Sequence, residues 1–265
     1  MEKKNILIRG GGDLASGVAV CLHEAGYSVV VTELEQPLVV RRAVSFAEAI
    51  YEGSCEVEGI EGQKVESFAE AMEFLSEGKI AVLVDPDCKI LESLDPLAIV
   101  DGRMLKRELP DEFGTRWKVI GLGPGFTAGV NCWVAIETNR GADLGKIFHE
   151  GSPEPDTGMP AAVMGYSIER VVYAHQDGHF KSVARIGEIV EVGQNIAEIN
   201  GEPVYSQIKG IVRGMLRDGL VVQAGTKLGD VDPTCEGAAC YRISDKARRV
   251  GAAVVEALTE IEKEG

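Results

Sequence analysis

Three consecutive glycines, Gly10, Gly11 and Gly12, interrupt "ILIRGGGDLASGVA" between an apolar run and a stretch of small residues. Gly10, Gly12 and Ala15 fit the pattern G-x-G-x-x-G/A, in which glycine permits a tight turn and lets the backbone approach a pyrophosphate resting on free helix amides. Glu33 or Glu35, in "TELEQP", stands about 20 residues on, where the pattern places an acid for a ribose hydroxyl. Asp13 and Ser16 complicate this, because an acid at a helix start repels phosphate but can cap the helix or bind a hydroxyl. Arg41 and Arg42 offer planar forks to a phosphate, or pair with surface carboxylates. A tight structural turn is the alternative to nucleotide binding, and both readings stay open. A second loop, in "KVIGLGPGFTAGVNCWVAIETNRG", carries Gly123, Pro124, Gly125 and Phe126 between two apolar runs, with Asn139 and Arg140 closing the second run. Glycine exposes amides and proline stiffens the turn, which suits an anion nest or a tight chain crossing. Two such loops on one cleft would accommodate a large phosphorylated ligand. Cys235 and Cys240 alone among six cysteines lie close together; they are weak metal or selenium candidates, since two thiols do not complete a tetrahedral zinc site. No catalytic residue is identified.

The elements that must position these groups begin as alternating strand and helix. Asn5–Arg9 and Ser28–Thr32 read as strands around a helix over Leu14–Ala25 that Gly26 ends, a βαβ unit. "SFAEAIYEG" and "SFAEAMEFLSEG" each place Ser three residues before Glu, the signature of a capping box. Further buried strands are expected at Lys79–Asp85 and Leu97–Met104. From about residue 160 the texture is β: Asp177-Gly178 predicts a two-residue hairpin, a setting that keeps His175 and His179 on opposite sides. "EIVEVGQNIAEI" and "GLVVQAGTKLGDVD" resemble one another and flank "SQIKGIVRGML". That arrangement resembles the biotinyl/lipoyl-type barrel-sandwich module, yet its "NGEP" turn bears no lysine and Lys209 sits in an expected strand. The module is therefore read as a scaffold or docking surface without covalent biotin or lipoate. Ser244 can cap a last helix whose Ala247, Val250, Val254, Leu258 and Ile261 recur at helical spacing. The expected fold is α/β: a Rossmann-like parallel sheet over 1–165, a barrel-sandwich β module over 166–233, and a C-terminal loop and helix, 234–265, packing on the α/β part.

Composition narrows the partners. With Lys+Arg 27 against Asp+Glu 42, the net charge of -15 disfavours nucleic acid and anionic membrane surfaces. No apolar run reaches membrane length, and Met-Glu-Lys-Lys leads straight into a strand, so a cytoplasmic location with reduced thiols is expected.

Taken in order, "IRGGGDLASGVA", "TELEQPLVVRRAVSFAEAIYEG", "GLGPGFTAGVNCWVAIETNRG", "DTGMPAAV" and "ISDKARRVGAAVVEAL" resemble one family, the accessory proteins of selenium-dependent molybdenum hydroxylase systems. In its Rossmann part that family is distantly related to XdhC-like maturation factors. The resemblance implies a role in preparing or inserting the molybdenum cofactor or its selenium. It also implies a nucleotide or molybdenum pterin-dinucleotide cofactor as bound cargo, and a molybdenum hydroxylase polypeptide as partner; a homo-oligomer is compatible with it. The alternative is an NAD(P)-dependent oxidoreductase using the Gly10 loop and Glu33. Such an enzyme needs an acid–base partner, and none of His23, His149, His175 and His179 stands out.

Overall fold

The computed structural model describes residues 3–264 and separates into two compact units. The first comprises Met1–Pro37, Ser45–Thr157 and Ile243–Gly265; the second comprises Leu38–Val44 and Gly158–Arg242.

In the first unit the chain runs β1 (Asn5–Arg9), α1 (Asp13–Glu24), β2 (Ser28–Glu33), α2 (Ala49–Glu52), β3 (Ser54–Val57), β4 (Ile60–Lys64), α3 (Phe68–Ser76) and β5 (Ile80–Val84). It continues through α4 (Leu91–Leu94), β6 (Ala98–Asp101), β7 (Val119–Leu122), β8 (Val134–Ile136) and β9 (Ile147–Phe148). A nine-stranded sheet forms in the order β3-β4-β5-β2-β1-β6-β7-β8-β9, parallel from β4 to β8, with β3 and β9 antiparallel at its edges. The architecture is mixed α/β. Ile6 to Ile8, Val29 to Val31, Ile80 to Val82 and Ala98 to Val100 are all buried. Unbroken apolar runs of this kind are what strands covered on both faces require.

The last helix, α5 (Asp245–Glu264), returns to this unit and packs along α1. Ser244 Oγ accepts the Ala247 N–H at 3.1 Å, and the expected stripe from Ala247 to Ile261 is buried. The two helices approach closely enough that a Cβ on Gly17 would lie 2.4 Å from the Ala247 Cβ, and one on Gly251 would lie 2.5 Å from Cys21 Sγ. The capping box expected at Ser67 forms, with the Glu70 N–H donating to Ser67 Oγ at 3.2 Å. Its near-copy does not: Phe46–Glu48 is a 3-10 turn to which the buried Ser45 gives no side-chain cap. The Phe46 and Ala47 amides bond instead to Ser16 Oγ and the Gly11 carbonyl, at 2.8 and 3.0 Å, which draws the segment onto the first glycine loop.

The second unit carries β10 (Val171–Tyr173), β11 (Gly178–Ser182), β12 (Ile189–Val190), β13 (Asn195–Ile199), β14 (Glu202–Tyr205), β15 (Gly210–Met215), β16 (Val221–Val222) and β17 (Lys227–Asp232). They form two four-stranded antiparallel sheets, β10-β17-β15-β12 and β14-β13-β11-β16. Asn200 and Gly201, at φ 52° and 87°, make a two-residue turn that pairs Ile199 with Glu202. The hairpin expected at Asp177-Gly178 does not form, because β10 pairs with β17 whereas β11 pairs with β13 and β16. Asp177 instead accepts the Ala224 N–H at 2.7 Å. Among the described residues no helix is long and apolar enough to cross a membrane.

Candidate functional site

The parallel strands end together on one edge of the sheet, and the strand order reverses there between β1 and β6. In open parallel sheets such a reversal opens a crevice outside the carboxyl ends of the strands. The loop leaving β1 is tightly tied. Gly10, at φ 91°, donates to the Thr32 carbonyl at 2.8 Å, and Gly11 donates to Glu33 Oε2 at 2.7 Å. Glu33 also accepts the Leu34 N–H at 2.8 Å, so its carboxylate shapes the loop. Ser16 Oγ donates to the Gly11 carbonyl at 2.9 Å. A Cβ on Gly11 would stand 2.9 Å from the Ala47 nitrogen, and one on Gly102 would stand 2.8 Å from the Ala15 Cβ. Gly12 differs: a Cβ there would meet no described atom within 4 Å, and as the N-cap residue of α1 it brings no side chain of its own to the first-turn amides. Uncapped first-turn amides are hydrogen-bond donors directed at whatever lies in front of them. The structure thus brings Gly10, Gly11, Gly12, Asp13, Ala15, Ser16 and Glu33 together.

The second glycine loop follows β7 on the same edge, and packing accounts for its glycines. A Cβ on Gly121 would lie 2.2 Å from Phe126 Cγ, one on Gly123 2.6 Å from Thr138 Oγ1, and one on Gly125 2.4 Å from the Arg107 carbonyl. Gly123 and Gly125 hold φ of 79° and 99°, and Asn131 Nδ2 fastens the loop to the Gly125 and Leu109 carbonyls at 2.9 and 2.7 Å. After β8, the Asn139 side chain donates to Glu154 at 2.7 Å. Arg140 grips Asp245 in the first turn of α5 with two bonds of 2.8 Å. The Arg140 hydrogen bonds come first among the causes that hold the Asp245 carboxyl down at about 2. Arg41 and Arg42 belong to the second unit, where Arg41 donates to the Ala239 and Arg242 carbonyls at 2.9 Å each and Arg42 to the Met215 carbonyl at 3.1 Å. Cys240 is buried, which pushes its thiol up, and Cys235 is half-buried. No group of three or more His, Cys, Asp or Glu among the described residues is arranged to hold a metal.

Sequence reasoning missed two features of the sheet edge. Lys246, at the start of α5, is half-buried and has no hydrogen-bond or ion-pair partner among the described residues. Burial pulls its amine below the ordinary lysine value; Asp13 and Glu137 oppose that pull, and Arg140 adds to it. The second feature lies across β1 and β6. Arg9 ends β1, its side chain 11% exposed, and Arg103 follows β6. Arg103 bonds the buried Asp101 through Nε and Nη2 at 3.0 to 2.7 Å, and Arg9 Nη1 lies 3.8 Å from the same carboxylate. Glu112 Oε2 accepts from both Arg9 Nη1 and Arg103 Nη2, the latter at 2.9 Å. The visible signal for Arg9 is an arginine closing an otherwise apolar strand. Lys246 gave none, being over 200 positions from the loop it approaches.

Comparison with known proteins returns no matching family model. Uncharacterized protein YqeB of Escherichia coli (strain K12) is 42% identical over 260 residues, 98% of this chain and 48% of that protein, so the chain spans about half the length of the curated relative it matches. Among solved structures, the product-bound ectoine utilization protein EutE (DoeB) from Ruegeria pomeroyi is 11% identical, covering 86% of this chain and 57% of its own, at a TM-score of 0.24. A succinylglutamate desuccinylase/aspartoacylase from Rhodobacter sphaeroides is 15% identical over 87% of this chain and 85% of its own, at a TM-score of 0.28. At those scores the likeness carries neither fold nor reaction to this chain.

These findings correct the resemblance drawn from the motifs. The curated relative is an uncharacterized protein, and the solved structures compared are named for ectoine utilization or as desuccinylase/aspartoacylase; none is named as an XdhC-like or selenium-dependent molybdenum hydroxylase accessory protein. The maturation role falls with it, as do the NAD(P)-dependent oxidoreductase and the nucleotide, molybdenum pterin-dinucleotide or NAD(P) cofactor expected for either. The physical reason lies in the motifs: Gly11, Gly121, Gly123 and Gly125 are glycines because neighbouring atoms leave no room for a Cβ. A motif maintained by packing carries no reaction with it.

Proposed function

We propose that the first unit binds a small anionic metabolite, a carboxylate or phosphate, outside the carboxyl ends of β1 and β6, with Gly12 and the first turn of α1 on one side and Lys246 as the countercharge. In this reading the parallel core is Rossmann-like, and Gly10, Gly11, Gly12, Asp13, Ala15, Ser16 and Glu33 frame the site. Gly123, Pro124, Gly125, Phe126, Asn139 and Arg140 support it from β7 and β8. The observation that carries the reading is the Lys246 ammonium, half-buried and without a hydrogen-bond or ion-pair partner among the described residues, whose neighbouring charges include Asp13 in the first turn of α1. A half-buried cation is costly unless paired, and an anion received by helix amides and an ammonium supplies the missing pair.

The second unit is read as a barrel-sandwich module of the biotinyl/lipoyl type acting as a docking surface. The pairs β12–β13 and β16–β17 support this, each being a two-residue strand, a glycine turn at Gly193 or Gly225 and a longer strand. Its Asn200-Gly201 turn offers no amine for a covalent arm.

Calorimetric titration against organic carboxylates and phosphates tests the first proposal. Gly12→Val leaves the fold intact, since the new side chain enters open space, and is expected to abolish binding of whichever compound the wild-type protein takes up. Unchanged affinity in both Gly12→Val and Lys246→Met would refute it.

A further inference from the structure

Arg9 and Arg103 come from adjacent strand ends and direct one N–H each at a single oxygen of Glu112. Their other contacts are of a different kind. Asp101 lies within β6 and is 2% exposed, so it is a permanent partner of Arg103, and Arg9 Nη2 is fixed on the Pro86 carbonyl at 3.0 Å. Glu112 is exposed and sits midway along the connection from β6 to β7. That connection is anchored at the buried Leu109, whose N–H donates to the Gly125 carbonyl at 3.2 Å and whose carbonyl accepts Asn131 Nδ2 at 2.7 Å. Beyond this anchor the segment meets Arg9 through Glu112 and through Phe113, whose ring centre lies 5.4 Å from the Arg9 guanidinium.

The charges point the same way. Two guanidiniums face one permanent carboxylate, so the pair keeps one unit of positive charge that only Glu112 neutralises among these groups. Burial pushes the Glu112 carboxyl up, but the hydrogen bonds and charges of Arg9 and Arg103 outweigh it and hold it below the ordinary range, so it is ionised at neutral pH. Arg9 Nε is also buried without a hydrogen-bond partner. Guanidinium forks are the side chains best shaped for carboxylates.

We infer that Arg9 and Arg103 form a binding site for the carboxylate of a small molecule, and that Glu112 fills it as an internal stand-in which the ligand displaces. Exchange of the Glu112 carboxylate for one carboxylate group of the ligand keeps a carboxylate on the two guanidiniums, and release of Glu112 frees the 110–116 segment from its ionic hold on Arg9. The inference deepens the reading of this sheet edge as an anion site and rests on it, adding the ligand group and its gate.

The test titrates malonate, and inorganic phosphate in parallel, into wild-type protein, Glu112→Gln and Glu112→Gln/Arg103→Ala, with hydrogen exchange followed over residues 105–117. Removing the competing carboxylate should tighten malonate binding at least tenfold in Glu112→Gln, and the double variant should lose that gain. In wild-type protein, malonate should speed exchange in 110–116. Preference for phosphate over malonate in Glu112→Gln would overturn the assignment of a carboxylate, and equal malonate affinity in wild type and Glu112→Gln would overturn the stand-in role. Should Glu112→Gln misfold, Glu112→Asp, whose shorter arm withdraws the carboxylate, must show the same direction of change or the inference fails. Adding Gly12→Val to Glu112→Gln separates the two proposals: malonate binding that survives it supports the arginine site even where the glycine-loop reading has failed, whereas binding absent from Glu112→Gln alone overturns the arginine site whatever Gly12 does.

Discussion

Exchanging the small residues where α1 crosses α5 tests what fixes the sheet edge. A methyl on Gly17 would stand 2.4 Å from the Ala247 Cβ, far inside contact distance, in the middle of a helix. Two effects compete in Gly17→Ala. Alanine is favoured over glycine inside a helix by about 1 kcal/mol, whereas overpacking of a close-fitting contact costs roughly 1–3 kcal/mol. The overlap is severe and its partner sits on another helix, so the second effect should win, leaving a net loss of about 1 kcal/mol. Ala247→Gly removes a buried methyl, about 0.8 kcal/mol, and adds about 1 kcal/mol of helix cost. The double exchange restores one methyl to the same gap, with helix terms that cancel, and should return to within about 0.5 kcal/mol of wild type. Urea unfolding of the four proteins gives the coupling energy directly. A Gly17→Ala protein more stable than wild type, or a double variant that simply sums the two losses, would refute the claim that contact at this crossing requires glycine.

Two further outcomes follow from charges at the start of α5. Lys246 has its folded-state pKa depressed, so the unfolded chain binds more protons below the ordinary 10.5 and wild-type stability should rise as pH climbs toward that value. In Lys246→Met that rise should be absent and the neutral-pH melting temperature equal or higher, while anion binding is lost; scanning calorimetry across alkaline pH checks it. Asp245 is depressed from 3.8 to about 2, so its stabilising pair with Arg140 is complete above the unfolded value and vanishes as pH falls through the folded one. Because Asp245 is 77% exposed, solvent screening limits the pair to roughly 0.2–1 kcal/mol, and Asp245→Asn should differ from wild type by that much at neutral pH, with the difference shrinking as pH falls below the unfolded value and vanishing only once pH is well under the folded one.

Much of the fold was legible, and what escaped shares one physical cause. Strands such as Asn5–Arg9 and the α5 stripe are set by apolar periodicity, a local property, and their positions agree with the sequence reading. Turn chemistry is local too, but strand choice is not. Asn200-Gly201 closes a hairpin, whereas Asp177-Gly178, an equally good turn dipeptide, joins strands of different sheets. The glycine loops show the same division at the site. Gly11 and Gly12 are neighbours of identical chemistry; a Cβ on one would strike the Ala47 backbone, and on the other would enter open space. Only contacts between distant parts of the chain distinguish a glycine that yields to a neighbour from one that exposes an amide.

That ambiguity explains how nearly the whole chain could resemble a family without carrying its activity. The segments "GLGPGFTAGV" and "ISDKARRVGAAVV" hold Gly121, Gly123, Gly125 and Gly251 in place through Phe126, Thr138, Arg107 and Cys21. Their length reflects packing between elements, which is specific without being chemical. The residues with unspent chemistry are Lys246, which lies within the second of these segments without a hydrogen-bond or ion-pair partner among the described residues, and two arginines closed by a surface glutamate. An unspent charge in a folded chain has a desolvation cost that packing does not repay. Function is therefore better sought where such a cost persists than where a motif is longest.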